Sequence, residues 1–324
     1  MKPLDRVQLD RLADASRQLG YALESSDDLD AAFRAARDAA GPAQSQTLVE
    51  LEQLLKSDAR EGSPFAVLAW AWRESPAPQR YAKDLIAEFK RRQIFAASAV
   101  GVVRDRMSSA FAYLAMVLSI LCVVRFDFGV FVMPGFSRFY AGVGAEMPTL
   151  TRLVFGSAAP LFILLLLAGL ALSVFLIWYA KLLRQQLARD APMPGWSLRV
   201  PLLGRVAAVL NRHLWMGYAA QLLTGGVDAM QSVTVAGARF AQPFALTSEI
   251  PGSALPGNLQ AAQRLGRLSD EIRFQQIAGG EQFLDTLMRV QHRTRVVLSI
   301  FVYVLVALIV CAMYLPIFSL GSNI

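Results

Sequence analysis

Hydrophobic and polar positions follow one another along this chain in two regimes. In the first, apolar residues return every three or four positions. Leu9, Leu12, Leu19 and Leu23 form one stripe, and Leu48, Leu51 and Leu55 form another. Leu203, Val206, Leu210, Leu214, Tyr218 and Leu222 form a third, and Phe283, Leu287 and Val290 a fourth. A return of about 3.6 residues is the helical period, so these stretches predict amphipathic helices, each with one face to bury. Small helical bundles bury such faces. In the second regime the charges vanish altogether: 107–124, 153–180 and 296–324 contain no Asp, Glu, Lys or Arg. Each run reaches the roughly 18 to 20 residues that cross a hydrocarbon core about 30 Å thick. Strand-like alternation is almost absent, and the expectation is an all-α membrane protein with three transmembrane helices.

Turn-forming residues bound these stretches. Ser25 with Asp28 three residues on matches a capping box, which places a helix start near Asp27. Gly41-Pro42 closes that helix, and Ser63-Pro64 and Ser75-Pro76-Ala77-Pro78 break the next stretch of chain. Pro192-Met193-Pro194-Gly195 separates the second apolar run from the polar segment after it. The stretch 243–257, with Pro251-Gly252 and Pro256-Gly257, reads as a long loop. The resulting division is an N-terminal helical domain (1–106), a first span (107–124), a loop (125–152), a second span (153–180), a second helical domain (181–295), a third span (296–318) and a tail (319–324).

Charge orients this arrangement. Lys and Arg near span ends are retained on the cytoplasmic side. Segment 1–106 carries 16 of them and segment 181–295 carries 13, against three in the loop, Arg125, Arg138 and Arg152, and none in the tail. Both polar segments are therefore expected in the cytoplasm, with loop and C-terminus on the periplasmic side of a bacterial inner membrane. Residues 1–30 mix basic and acidic residues without an apolar core, so no secretory signal is expected there. Composition agrees: 55% of residues are hydrophobic, only 18% are charged, and mean hydropathy is +0.40, whereas a soluble domain is about 45–50% apolar. The net charge of +7 falls mainly on segment 181–295, where anionic headgroups account for it. No nucleic-acid recognition motif accompanies it.

The chemistry of an enzyme is hard to place. His213 and His292 have no second His or Cys at metal-ligand spacing, and no phosphate-binding or dinucleotide-binding glycine motif occurs. Asp27, Asp28 and Asp30 cluster in a first helical turn, where the helix dipole favours carboxylates without any metal. Cys122 and Cys311 lie within spans and behave as small hydrophobes. No catalytic residue, cofactor or metal is expected. Gly169, Ala168, Ala171 and Ser173 of the second span, with Ala307 and Ala312 of the third, are the small residues that let membrane helices approach. A faint repeat at an offset of 200 sets 22–29 opposite 222–229, each following one apolar helix and opening another.

Four stretches together resemble a known family. Phe131-Val132-Met133-Pro134-Gly135-Phe136 followed by Met147-Pro148-Thr149-Leu150-Thr151-Arg152 is similar to its loop between the first and second spans. Val200-Pro201-Leu202-Leu203-Gly204 is similar to the start of its second cytoplasmic domain, Leu222-Leu223-Thr224-Gly225-Gly226-Val227 to a helix turn found in both its domains, and Tyr314-Leu315-Pro316-Ile317-Phe318 to the end of its third span. The family is that of the inner-membrane platform proteins of type II secretion systems and type IV pili, typified by general secretion pathway protein F and the pilus assembly protein PilC. Two departures stand out. Ser25 and Ser26 occupy the place of the first repeat's glycine, and Gln282-Phe283-Leu284 follows Gly280-Glu281 where the family has a further glycine.

The resemblance implies two cytoplasmic helical-bundle domains related as a repeat. It also implies a scaffold without bond chemistry that couples a cytoplasmic hexameric assembly ATPase to extraction and polymerisation of pilin or pseudopilin. Other inner-membrane assembly proteins and further copies of the chain are the remaining implied partners. The residues singled out as structural or interaction positions are Gly225 and Gly226 at the domain turn and Gly280 and Glu281 near the third span. Arg264, Arg267 and Arg273, spaced three and six apart as on one side of a helix, are the expected motor contact. The rival readings are a polytopic transporter and a membrane anchor for an unrelated complex.

Overall fold

A computed structural model describes residues 6–26, 28–56, 66–78, 80–144, 146–156, 159–201, 203–239 and 255–321. Helix accounts for 89% of it, and no strand occurs among the described residues. Three helices are long and apolar enough to cross a membrane: Ala82–Val143, Pro160–Arg189 and Leu268–Ser319. The chain divides into two compact units, Met1–Val102 with Leu183–Val290, and Val103–Leu182 with Gln291–Ile324.

The first unit begins with α1 (Arg6–Ser25), α2 (Leu29–Ala39), α3 (Pro42–Lys56), α4 (Ala66–Glu74) and α5 (Ala82–Val102). The two polar segments do not stand apart. Leu222 and Val227 of the second are buried in one core with Leu19, Phe33, Leu48, Leu51, Leu68 and Phe89 of the first. Helix α2 starts one step later than the capping box suggests. Ser25 belongs to the end of α1 and donates its hydroxyl to the Ala22 carbonyl, whereas the Asp28 carboxylate accepts from the Asp30 and Ala31 amides as the true N-cap. An ionised acceptor at this place also meets the positive end of the helix dipole. Gly41-Pro42 and Ser75–Pro78 bound helices as expected; Ser63-Pro64 and Asp27 lie outside the described residues, as do the side chains of Leu9, Leu12 and Leu55.

In the second unit, α6 (Ser109–Asp127) and α7 (Met133–Val143) continue directly from α5 through π-helical turns at Val103–Ser108 and Phe128–Val132. The first apolar helix therefore runs beyond 107–124, and the segment 125–152 is helical over most of its length. Pro134 has no N–H for the Val130 carbonyl, and the helix takes this up in the π-turn, where the Met133 N–H bonds the Phe128 carbonyl. Helix α8 (Thr149–Phe155) follows, then α9 (Ala159–Arg189), so the second apolar helix begins after Gly156 and not at Leu153. Arg125 is buried, donates from Nε to the Val154 carbonyl at 3.0 Å and lies over the Phe155 ring, so that it caps the C-terminal end of α8.

The remaining elements are a 3-10 turn (Gly195–Arg199), α10 (Leu203–Thr224), α11 (Ala229–Arg239), α12 (Leu255–Arg264) and α13 (Leu268–Gly321). Pro256-Gly257 therefore stands in the first turn of α12; the part of the long loop before Leu255 lies outside the described residues. All six members of the third stripe and all three of the fourth are buried. Within the second unit α13 contains Pro316, which leaves the Ala312 carbonyl without its intrahelical N–H. The Thr151 hydroxyl fills that place at 2.9 Å, and the Tyr140 hydroxyl donates to the Pro316 carbonyl at 2.8 Å. Gly169 is where the second apolar helix meets the others: a Cβ there would lie 2.6 Å from Phe301 Cε1 and 3.5 Å from Leu118 Cδ1. Ser173 and Ala312 are buried as expected of packing residues, but Ala168, Ala171 and Ala307 are exposed. Large apolar side chains also face outward, among them Tyr113, Leu161, Leu164, Val297 and Ile300, as a lipid-facing surface requires.

Candidate functional site

Helices from both polar segments of the first unit enclose a cleft of about 880 Å³. Its walls come from α5, the end of α9, α10 and the beginning of α13, with Phe95, Leu187, Leu214, Leu223, Ile277 and Leu284 supplying apolar surface. Arg92 and Asp190 form an ion pair in this wall at 2.7 Å, each with only 6% of its side chain exposed. The guanidinium lies over the Tyr218 ring, 4.6 Å from its centroid, and the Tyr218 hydroxyl donates to the Asp190 carbonyl. A charge withdrawn from water this far needs a partner, and here the partner comes from the other polar segment.

Asp190 is held in an unusual conformation. Its φ is +52°, the one positive value among described non-glycine residues. The Asp190 N–H bonds the Leu187 carbonyl and the Ala191 N–H bonds Gln186, the double bond of a helix end that glycine ordinarily occupies. Asp tolerates this region better than most residues, and it brings a carboxylate that glycine lacks.

His213, one turn of α10 before Gly217, stands 4.4 Å from the Phe95 ring, centroid to centroid. Its Nδ1 lies 3.1 Å from the Gln276 carbonyl, an acceptor that fixes the proton there. Burial, reinforced by the Arg92 charge and opposed by Asp190 and the Gln276 carbonyl, lowers its pKa to about 4. Its ring is therefore neutral near pH 7. Arg212 is also shifted down by burial, and its Nη2 donates to Gln275 Oε1 at 2.9 Å. Glu88 accepts from the Gln276 side-chain amide and from Arg91.

Three of the positions singled out from sequence meet at this cleft: Gly280, Glu281 and Arg273 all line it. A Cβ on Gly280 would lie 3.0 Å from Phe95 and 3.2 Å from His213. Gly225 and Gly226 end α10 beside it. Gly226 has φ +83°, its N–H bonds Leu223, and the Val227 N–H bonds Leu222. A Cβ at Gly226 would meet the Tyr81 ring at 2.5 Å, and Ser75 donates to the Gly225 carbonyl. Asp228 then caps α11 through the Met230 and Gln231 amides.

Arg264, Arg267 and Arg273 are all exposed but do not share one helix. Arg264 ends α12, Gly266 turns the chain at φ +65° with the Arg267 N–H on Ala262, and only Arg273 belongs to α13. The spacing of three and six conceals Gly266, which stops α12 before Arg267. Arg267 pairs with Asp270 at 3.2 Å. Sequence reasoning missed Arg92 and Asp190 altogether, and it gave His213 no functional role. The Arg92 and Asp190 positions are 98 residues apart, and the usable sign was an Asp where a helix-ending Gly belongs, just before Pro192. Among the described residues no group of three or more His, Cys, Asp or Glu could hold a metal ion, and His292 is exposed on α13. Neither a family model, nor a curated protein, nor a solved structure matches this chain.

Proposed function

We propose that this chain is the inner-membrane platform of a type IV pilus or type II secretion machine, a scaffold and not an enzyme. In this reading both polar segments lie in the cytoplasm, the C-terminus lies in the periplasm, and the chain couples an assembly ATPase to pilin or pseudopilin extraction. The observation that supports it most is the pair of helix turns at an offset of 200. Helix α2 spans Leu29–Ala39 and α11 spans Ala229–Arg239, each opened by an Asp whose carboxylate accepts from the second and third residues beyond it. Such a correspondence of caps is what two copies of one helical module would retain after most side chains had changed. The bond from Thr151 to the Ala312 carbonyl supports it too, because a residue of one resembling stretch satisfies the acceptor that Pro316 of another leaves open.

Deleting the gene should abolish surface filaments or export of the machine's substrate, and a plasmid copy should restore them. The tagged chain should retain the assembly ATPase on purification from the same cells. Reversing Arg264, Arg267 and Arg273 to Glu together should weaken that retention while membrane insertion stays normal. Reporter fusions at Ala145 and after Ile324 should both report periplasm. Intact filaments and export in the deletion strain would refute the platform reading, and a cytoplasmic signal at either fusion would refute the topology.

A further inference from the structure

We infer that the cleft of the first unit is a binding site for a small organic anion of single charge, a carboxylate on an apolar body. The inference goes beyond the platform reading and does not depend on it. It starts from an unfilled requirement. A guanidinium has five N–H donors, and among the described residues the acceptor that meets that of Arg92 is Asp190 Oδ2, on Nη2. Among the described residues Nη1 has no partner, and it is buried. A buried donor without an acceptor is uncommon, and a bound ion or water is one standard explanation.

One side of this group is faced by backbone and not by a side chain. Gly217 stands beside it in the middle of α10, where glycine costs helix stability relative to alanine. A Cβ at Gly217 would lie 3.2 Å from both Cζ and Nη1 of Arg92. With glycine there, a small rotation of the guanidinium edge brings Nη1 to an oxygen atom in the cleft, a movement that a side chain at 217 would block. Both residues line the cleft, and its volume falls within the range of roughly 300–1,000 Å³ typical of small-molecule sites.

The rest of the wall selects the ligand. An oxyanion is what an Arg edge recognises best. Asp84, Glu88, Asp190 and Glu281 also line the cleft, against Arg91, Arg92 and Arg273, and His213 is neutral. Arg91 is engaged by Glu88 and Arg92 by Asp190. A second negative charge on the ligand would face carboxylates, so nucleotides and other polyphosphates are disfavoured. Phe95, Leu214, Leu223, Ile277 and Leu284 ask instead for an apolar body behind a single carboxylate.

The test uses the full chain in phosphatidylcholine nanodiscs at about pH 8.5, where the phosphonate has lost both protons, and three probes: 4-fluorobenzoate, its neutral isostere 4-fluorobenzamide, and the dianion 4-fluorobenzylphosphonate. Fluorine NMR line broadening against empty nanodiscs gives each affinity. The benzoate should bind saturably and at least about tenfold more tightly than either other probe, the size of one charge-assisted contact. Arg92→Lys keeps a cation for Asp190 but removes the planar donor edge, and Gly217→Ala covers it; each should weaken benzoate at least about tenfold. The three-probe comparison on the unchanged chain decides the matter if a variant does not fold. Absence of saturable benzoate binding, equal affinity for benzoate and benzamide, tighter binding of the phosphonate, or full binding in the folded variants would each overturn the inference.

Discussion

Asp190 is the position where backbone strain and a buried charge can be separated by substitution. Its φ of +52° is costly for a residue with a Cβ, and its carboxylate holds Arg92. Asp190→Asn keeps the side-chain shape and the tolerance of the left-handed region, but leaves the Arg92 charge buried without its counter-charge. Breaking such a pair typically costs about 3–5 kcal/mol, less whatever the amide oxygen still accepts. Asp190→Ala loses the pair and keeps the strain, whereas Asp190→Gly loses the pair and relieves about 1–2 kcal/mol of it. The bond from the Tyr218 hydroxyl goes to the backbone carbonyl of Asp190, so all three substitutions leave it in place. The expected order of stability is the unchanged chain, then Asn, then Gly, then Ala.

Thermal unfolding of the detergent-purified protein, followed by tryptophan fluorescence, reads this order. Trp215 is buried in the same unit and bonds the Val233 carbonyl, so it reports on the relevant packing. At about 2–4 °C of midpoint per kcal/mol for a unit of this size, Gly and Ala should differ by several degrees. Replacing both partners, Arg92→Met with Asp190→Asn, should be less harmful than the sum of the single changes, because no charge is then stranded. Asp190→Asn with an unchanged midpoint would refute the stabilising role of the pair. Equal midpoints for Gly and Ala would refute the strain.

Three further outcomes are expected of the same structure. Because the folded pKa of His213, about 4, lies below its unfolded value, the unfolded chain binds the extra proton. Stability from this source is therefore complete above pH ~6.5 and falls by roughly 3 kcal/mol toward pH 4. His213→Gln should flatten that part of a pH series of unfolding midpoints. Thr151→Val should cost about 1–2 kcal/mol by orphaning the Ala312 carbonyl, and should cost less in a Pro316→Ala background, where an N–H returns; equal costs in detergent unfolding would show that the hydroxyl is not needed. Gly226→Ala should lower the midpoint by the equivalent of about 1–3 kcal/mol from its positive φ, with additional loss from the Tyr81 contact that Tyr81→Ala in the same chain relieves.

How much of this was legible in the sequence depended on whether the signal was periodic or solitary. The stripe from Leu203 to Leu222 and the charge-free runs are periodic, and the helices and apolar spans appear where they predict. Ends were harder. Ser25 and Asp28 both have side chains that cap helices, and composition cannot say which one caps and which one closes the helix before it. Leu153 is as apolar as the run it precedes, yet it belongs to a separate helix, because Gly156 interrupts the chain between them. The cleft was visible only through Gly280, Glu281 and Arg273. Its buried ion pair joins α5 to the end of α9, and nothing in the local pattern of either helix marks the other as its partner.

That difference has a physical basis in how the first unit is joined. Apolar stripes specify which face of a helix is buried, but they permit neighbouring helices to slide by a turn at little cost. The polar contacts in this unit tie distant parts of the two segments at single points: Arg92 to Asp190, Ser75 to the Gly225 carbonyl, Gln221 to the Leu85 carbonyl at 2.7 Å, and Gln276 to Glu88. Each would be left unsatisfied by a one-turn shift, and an unsatisfied buried polar group costs about 1–3 kcal/mol, more where it is charged. Burying these groups contributes little net stability, but misaligning them is expensive, so they fix the register that the stripes leave open. The same asymmetry explains why the cleft keeps its form. Arg92, His213 and Gln276 are each held by a partner on another helix, so the wall around Arg92 Nη1 is set before any ligand arrives.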